Sequence, residues 1–259
     1  MKNLVSAIGA LNSTLPRDHR FNSNDLVLSI DSLSRSYPLC QVMRALYANA
    51  SVALNSVAGE GVDFALASAG VSPTVIIASS RTMSDYHDKV MQPHSGFLSS
   101  IPRWFQVRKL DAGIMPPHGP LYQVANMGPT AELNFDKLRL LCISHRCDAD
   151  PDGQLTYAQL TDLRIFTGAR VVYALTGPGV AGAVTQTNMF DYRRFTGKSH
   201  LGAPLSSAEV LLTGAEESGE ENRNAQGQIV VAGPSVVAGR TTLPAKAQLR
   251  KDNTFELIS

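Results

Sequence analysis

The chain has 259 residues, with 23 basic and 22 acidic side chains and a formal net charge of +1. Nucleic-acid and membrane-surface partners call for a basic excess or stripe, so this near balance argues against both classes. Apolar residues make up 44% of the chain, an ordinary share for a globular protein that buries a core. The length suits one large domain or two small ones.

The three cysteines, Cys40, Cys142 and Cys147, are too few and too odd in number for a disulfide framework. Their spacing does not match a zinc motif, and no histidine pair completes one. The first twenty residues hold only a short, broken apolar run, unlike a signal peptide. No stretch approaches the roughly 20 apolar residues of a membrane span. We therefore predict a reduced, cytoplasmic environment.

Strands and helices alternate through most of the chain. The patterns predict helices over residues 4–11, 38–47, 60–70 and 158–167, and strands over 26–30, 52–54, 74–78, 138–143 and 170–175. The run TVIIA over 74–78 is typical of a strand buried on both faces of a parallel sheet. Short helices and loops are expected around Trp104 and Phe105. The alternation indicates an α/β body.

From residue 203 the pattern changes to short strands separated by turns, predicted over 208–212, 228–232 and 254–258. The acidic stretch 216–227 is expected to form a solvated loop or a hairpin tip. We therefore predict a layered α/β core subdomain over residues 1–200 and a β-rich distal subdomain over residues 201–259.

An acidic segment offers a weak calcium candidate. Asp148, Asp150, Asp152 and Gly153 match positions 1, 3, 5 and 6 of an EF-hand loop, where alternate carboxylates converge on one cation. Position 12 is Gln159 instead of the bidentate glutamate, and no second EF-hand is present to pair with it. The alternative is an acidic turn that leads into the following helix.

The segment GPGVAG, residues 177–182, reads as G-x-G-x-x-G and follows a predicted strand, as a dinucleotide-binding loop does. A helix beginning there could receive phosphate at its N-terminus. Pro178 stiffens the loop, however, and no acidic residue is evident about 20 positions further on. The alternative is a turn of small residues.

A hydrolase would need a nucleophile and a base, yet the sequence has no G-x-S-x-G elbow. Five histidines lie in polar or loop-like segments and are expected to face solvent or to play structural roles: His87, His94, His118, His145 and His200.

Several segments, read together, resemble the adenylate-forming superfamily, and most closely its long-chain acyl-CoA synthetase branch. The resemblance is collinear over nearly the whole chain and weakest over residues 92–137. Seven segments carry it: KNLVSAIGAL (2–11), LSIDSLSRSYPLCQVMRALYANASVAL (28–54), VSPTVIIASSRTMSDYHDKVM (71–91), VVYALTGPG (171–179), LGAPLSSAEVLL (201–212), GQIVVAGPSVVAG (227–239) and LRKDNTFELIS (249–259).

The resemblance implies a partial acyl-CoA synthetase core and the reaction of that family. A carboxylate attacks the α-phosphate of ATP to form an acyl-adenylate, and coenzyme A then displaces AMP. The implied cofactors are therefore ATP or AMP, Mg²⁺ and coenzyme A. This chemistry requires stabilisation of charge on the phosphates. The family supplies it with a phosphate-binding loop, a metal-binding glutamate, a ribose-binding aspartate and a lysine on a C-terminal lid domain.

The sequence departs from the family at each of these places. Tyr173 and Thr176 match the family's Y-G-x-T-E motif, but Ala174 replaces its glycine and Gly177 replaces its metal-binding glutamate. Ala245 stands where the resemblance places the ribose-binding aspartate. These five residues are the predicted, vestigial nucleotide site.

Other departures lie in the adenine-binding segment and at the two ends. The small residues that pack on adenine are replaced within 144–147 by the bulky His145 and Arg146. The phosphate-binding loop is expected just before residue 1 and the lid domain after residue 259, so both are predicted to be missing.

We therefore predict an AMP-binding, acyl-CoA ligase-like protein that is catalytically inactive, because losing even one preorganised donor costs about 100- to 1000-fold in rate. The alternative is a non-catalytic scaffold, or a module that binds a small ligand or a protein on a reused adenylation fold. An acyl or nucleotide ligand and a protein partner both stay open, as does the oligomeric state.

Overall fold

The structure is a computed structural model that describes residues 1–91, 97–116, 135–214 and 225–258. A seven-stranded sheet forms the body, in the order β2-β1-β3-β4-β5-β6-β7. The first five strands are parallel, and the two short ones at the far edge are antiparallel. The strands are β1 (Leu26–Ser29), β2 (Ser51–Leu54), β3 (Val75–Ser79), β4 (Leu140–Arg146), β5 (Arg170–Thr176), β6 (Thr185–Gln186) and β7 (Ala203–Pro204).

Helices cover both faces of this sheet. They are α1 (Lys2–Ser13), α2 (Ser36–Tyr47), α3 (Phe64–Ser68), α4 (Ser80–Tyr86), α5 (Phe97–Asp111) and α6 (Tyr157–Thr167); a π-helical turn, His87–Met91, continues α4. Along β4, Leu140 and Cys142 pack with α1 and α2, whereas Leu141 and Ile143 pack with α3, α4 and α6. Side chains alternate along a strand, so apolar residues lie on both faces of the sheet, and the helices bury both. The predicted layered α/β body is confirmed.

A second, antiparallel sheet holds the distal part of the chain in the order β11-β10-β9-β8. Its strands are β8 (Glu209–Thr213), β9 (Gln226–Ala232), β10 (Arg240–Leu249) and β11 (Phe255–Ile258). Ile229, Val231, Leu243 and Phe255 join the same apolar cluster as the α3, α4 and α6 face of the body. The β-rich distal part is therefore packed against the α/β part.

The long strand β10 was missed by the sequence analysis, which expected only short strands. Pro244 lies in its middle and lacks the N–H that a central strand needs. The pairing with β9 shifts register between Thr242 and Lys246, and this irregularity accommodates the proline.

Other elements also differ from the predictions in their bounds. The helix expected over 60–70 contains only Phe64–Ser68, and one fifteen-residue helix, α5, replaces the short helices expected around Trp104 and Phe105. Strand β4 starts and ends later than predicted, so it includes 144–146. Most of the predicted acidic loop, residues 216–224 of 216–227, lies outside the described residues. Within the described part, no helix is both long and apolar enough to cross a bilayer.

Helix α6 begins with a capping box. The Thr156 hydroxyl accepts a hydrogen bond from the Gln159 backbone N–H, and the Gln159 side chain accepts one from the Thr156 N–H. Thr156→Ala is expected to lower the free energy of unfolding by about 1 kcal/mol, because one helix N–H loses its partner. Urea unfolding measures this loss. Thr156→Ser keeps the cap and should stay close to wild type; an equal loss in both variants would contradict the cap's role.

Candidate functional site

Two cavities lie at the carboxyl ends of the parallel strands, where open α/β sheets bind their ligands. The first has a volume of about 730 Å³, within the usual range for small-molecule sites. It is enclosed by the start of α1, the β1–α2 connection, the end of β4 and the loop after β5. The second, of about 420 Å³, lies between the end of β4 and strands β10 and β11.

The end of β4 separates the two cavities. Ser144 and Arg146 line the first cavity, whereas His145 and Cys147 line the second. This division follows from the alternation of side chains along a strand. Asp148, just beyond the strand, lines both cavities.

A chain of ion pairs forms the charged wall of the first cavity. Arg35 Nη2 lies 2.7 Å from Glu60 Oε2, and Arg146 Nη1 lies 3.9 Å from the same oxygen. Arg146 also pairs with Asp148. Arg35 Nη1 is 3.6 Å from Asp31 Oδ1, and burial raises the pKa of the Asp31 carboxyl. Two guanidinium groups are thus held close together at the cavity.

Hydrogen bonds fix the rest of this wall. The Ser36 hydroxyl donates to the Val180 carbonyl at 2.9 Å and ties α2 to the loop after β5. The Thr176 hydroxyl donates to the His145 carbonyl at 3.1 Å. The cavity is therefore bounded by elements that are linked to one another.

The second cavity contains His145, whose side chain is almost fully buried. Its Nδ1 lies 2.9 Å from the Ser80 hydroxyl oxygen, and burial lowers its pKa to about 4. Burial also raises the pKa of the Cys147 thiol to about 12. Lys198 Nζ donates to the Gln154 carbonyl at 2.9 Å. A neutral imidazole with so low a pKa is a weak general base, so the Ser80–His145 pair does not suit hydrolysis at neutral pH.

The five residues of the predicted nucleotide site do not meet in one place. Tyr173 and Ala174 are fully buried in opposite faces of the sheet, and the backbone N–H of Leu155 donates to the Tyr173 hydroxyl. Thr176 and Gly177 line the first cavity, and Ala245 lines the second. Neither Tyr173 nor Ala174 is among the lining residues of either cavity.

The space beside Gly177 is already filled. A Cβ atom at this position would lie 2.7 Å from Leu243 Cδ2 and 3.1 Å from Cys147 Sγ. Leu243 is 1% exposed and belongs to the main apolar cluster. Gln228 Nε2 donates to the carbonyls of Leu243 and Ala245, which fixes this part of β10. A larger residue at position 177 therefore requires Leu243 to move.

The residues of the calcium candidate have separate roles. Asp148 pairs with Arg146, and the Asp150 carboxylate accepts a hydrogen bond from the Asp152 N–H at the start of a 3₁₀ turn. Among the described residues, no group of three or more His, Cys, Asp or Glu side chains could hold a metal ion.

Addition of Ca²⁺ is accordingly expected to leave the melting temperature unchanged. The carboxylates of Asp148 and Asp150 would have to give up these contacts to converge on one ion with Asp152. A thermal-shift measurement at about 10 mM Ca²⁺, tenfold above the weakest EF-hand dissociation constants, tests this expectation. A rise with Ca²⁺ that Mg²⁺ does not reproduce would contradict it.

The dinucleotide-loop interpretation of residues 177–182 is wrong. The loop after β5 leads to the short strand β6, and no helix begins within 177–186 to receive a phosphate. Among the histidines, His87, His145 and His200 are buried and make polar contacts. His94 and His118 lie outside the described residues.

The charged wall was not predicted from the sequence. Arg146 was predicted only as an obstacle to adenine, and no role was predicted for Arg35 or Glu60. These residues come from the β1–α2 connection, the β2–α3 connection and the end of β4, and their pairing depends on the arrangement of the strands. No local pattern signals it.

Solved structures share this fold. They include VinN bound to L-aspartate (17% identity, TM-score 0.58, 99% of this chain and 54% of that one) and O-succinylbenzoate coenzyme A synthetase from Bacillus subtilis with AMP (13%, 0.59, 100% and 45%). A third is the inhibitor-bound N-terminal domain of FACL13 from Mycobacterium tuberculosis (12%, 0.61, 100% and 55%). No protein-family model and no curated protein matches the chain.

At these identities the similarity shows the fold alone. The fold of adenylate-forming ligases, inferred from the seven segments, is thereby confirmed. The chain spans about half the length of these structures.

Proposed function

We propose that the chain is an acyl-CoA ligase-like protein that binds a small carboxylic acid in the first cavity and does not activate it. The shared fold, the position of the cavity and its two arginines support the binding of an acid. Solved structures with this fold hold L-aspartate in one case and AMP in another.

The packing at Gly177 supports the proposal that the protein does not activate the acid. ATP-dependent activation in this fold needs a carboxylate for Mg²⁺ at this position, by resemblance, and the Cβ atom of such a residue would collide with Leu243 and crowd Cys147. Ala245 provides no carboxylate for ribose. The residues present therefore do not fit a bound Mg²⁺–nucleotide of the kind the resemblance implies, and we derive no reaction step through it.

Pyrophosphate release in the presence of ATP, Mg²⁺, coenzyme A and a panel of carboxylic acids tests the catalytic part. We expect no release above the protein-free background, while an active ligase of the same fold serves as the positive control. Acid-dependent release by the purified chain would overturn the proposal.

Isothermal titration tests the binding part. We expect at least one small carboxylic acid to bind, and AMP to bind weakly at best because Ala245, which lines the second cavity, has no carboxylate for ribose. If no acid binds and a protein partner does, the alternative of a scaffold or protein-binding module replaces the proposal.

A further inference from the structure

Charges of both signs meet at the wall of the first cavity. Three lining side chains are charged at neutral pH: Arg35, Arg146 and Asp148. Glu60 is not among the lining residues, yet its Oε2 atom lies within 3.9 Å of both guanidinium groups. Glu60 therefore keeps the two arginines together without occupying the cavity.

Both arginines have hydrogen-bonding capacity to spare. A guanidinium carries five N–H donors. Among the described residues, Arg35 donates a side-chain hydrogen bond only to Glu60, and Arg146 only to Asp148. Their side chains are 25% and 37% exposed. The remaining donors can bind a ligand carboxylate, which the planar fork of arginine recognises through paired hydrogen bonds.

Asp148 is the negatively charged side chain among those that line the first cavity. Its side chain is 32% exposed and lies beside Arg146. A ligand with only a carboxylate would bring a second negative charge close to Asp148, and a ligand with only an amine would face two arginines. Repulsion between like charges lowers the affinity for both kinds of ligand. Specificity depends on such repulsion of the wrong ligand as well as on attraction of the right one.

Building on the proposed function, we infer that the acid bound in the first cavity is a small zwitterion with the chemistry of an amino acid. Its carboxylate binds between Arg35 and Arg146, and its ammonium group binds Asp148. The hydroxyls of Ser34 and Ser144, which also line the cavity, add polar contacts. A long-chain fatty acid has no group to match Asp148.

A matched set of three ligands tests the inference. A thermal-shift panel of the twenty standard amino acids identifies the strongest binder. Isothermal titration then compares that amino acid with its deaminated acid and its decarboxylated amine. Both analogues should bind roughly tenfold to hundredfold more weakly, because each leaves one charged partner without its hydrogen bonds. Absence of binding by all twenty amino acids, or equal binding of the deaminated acid, overturns the inference.

Two substitutions separate the roles of the charges. Arg146→Gln is expected to weaken amino-acid binding about tenfold or more. Asp148→Asn should abolish the preference for the amino acid over its deaminated acid. Arg194→Gln removes an exposed arginine that pairs with Asp111 instead, and serves as the control. Unchanged preference in Asp148→Asn contradicts the inference. Melting curves verify folding, and Arg146→Lys replaces Arg146→Gln if the latter is unfolded.

The same titrations keep the two proposals apart. If deaminated acids bind and amino acids do not, the inference fails while the proposed acid-binding function stands. If no carboxylic acid of either kind binds, both fail.

Discussion

Replacing Gly177 with glutamate, the residue that the resemblance places there, is expected to destabilise the protein by about 3 kcal/mol or more. The first added atom alone would lie 2.7 Å from Leu243 Cδ2, closer than real Cβ atoms come to their neighbours. Overpacking of this kind costs about 1–3 kcal/mol. The ionised carboxylate adds a further cost to the extent that Leu243 and Cys147, the side chains beside the new Cβ atom, take it out of water.

Urea unfolding of further variants separates the cost of the added Cβ atom from the cost of the rest of the glutamate side chain. Gly177→Ala adds only the Cβ atom and should lose about 1–3 kcal/mol. Gly9→Glu serves as the control, since Gly9 is exposed in α1 and an added Cβ would meet nothing within 4 Å. That variant should stay within about 0.5 kcal/mol of wild type. The double variant Gly177→Glu with Leu243→Ala should be more stable than the sum of the two single losses predicts, because the sites touch.

Wild-type stability in Gly177→Glu would count against the proposed function. It would show that Leu243 moves aside at little cost and that a carboxylate can be accommodated beside the first cavity. The packing at Gly177 would then no longer support the proposed inactivity. If the variant is destabilised as expected, a metal-binding carboxylate requires at least two coordinated changes.

The sequence predicted the body of the fold well because its signals are local. The apolar run before Ser79 and the helical spacing after Pro38 reflect burial on sheet and helix faces, and the structure places β3 and α2 there. The seven resembling segments gave the order of these elements. The strand β10 was not predicted because Pro244 normally excludes a strand, and only the irregular pairing with β9 permits it.

The candidate site was predicted less completely, since a site depends on contacts between distant segments. The family motif predicted Tyr173 and Thr176 in one nucleotide site. Because side chains alternate along β5, Tyr173 lies in the core and Thr176 lines the first cavity. The glycine at position 177, where the resemblance implies a glutamate, was visible in the sequence, whereas the side chain that lies against it was not. Leu243 is 66 positions away and reaches Gly177 only because the second sheet packs on the first.

These observations place the chain's departures from the ligase pattern within its packing. Gly177 and Leu243 form one apolar contact, and Gln228 holds the β10 segment that contains Ala245. Both positions are therefore held in place by neighbouring side chains. The first cavity, by contrast, keeps its charged side chains partly exposed, as a binding site does.

Acidification from pH 6.5 to pH 4 is expected to cost the native state about 3 kcal/mol through His145 alone. Burial lowers the pKa of His145 to about 4, whereas the unfolded chain titrates near 6.5. Between these values the unfolded state binds more protons than the native state. The contribution of the neutral imidazole is therefore complete above pH 6.5 and is lost as the pH falls through about 4.

Urea unfolding of wild type and His145→Gln between pH 4 and pH 7.5 measures this contribution as a difference. In this difference, the contributions of titrating groups that both proteins share, such as His87, cancel. Burial lowers the pKa of His87, but its hydrogen bonds with Asp162 and Asp88 outweigh burial and raise that pKa above the ordinary value. The wild type should lose about 3 kcal/mol more than the variant on acidification. If the difference in unfolding free energy between the two proteins stayed constant across this range, the prediction would be contradicted. The His145 imidazole would then take up its proton in contact with water, and the second cavity would be open to solvent at this residue.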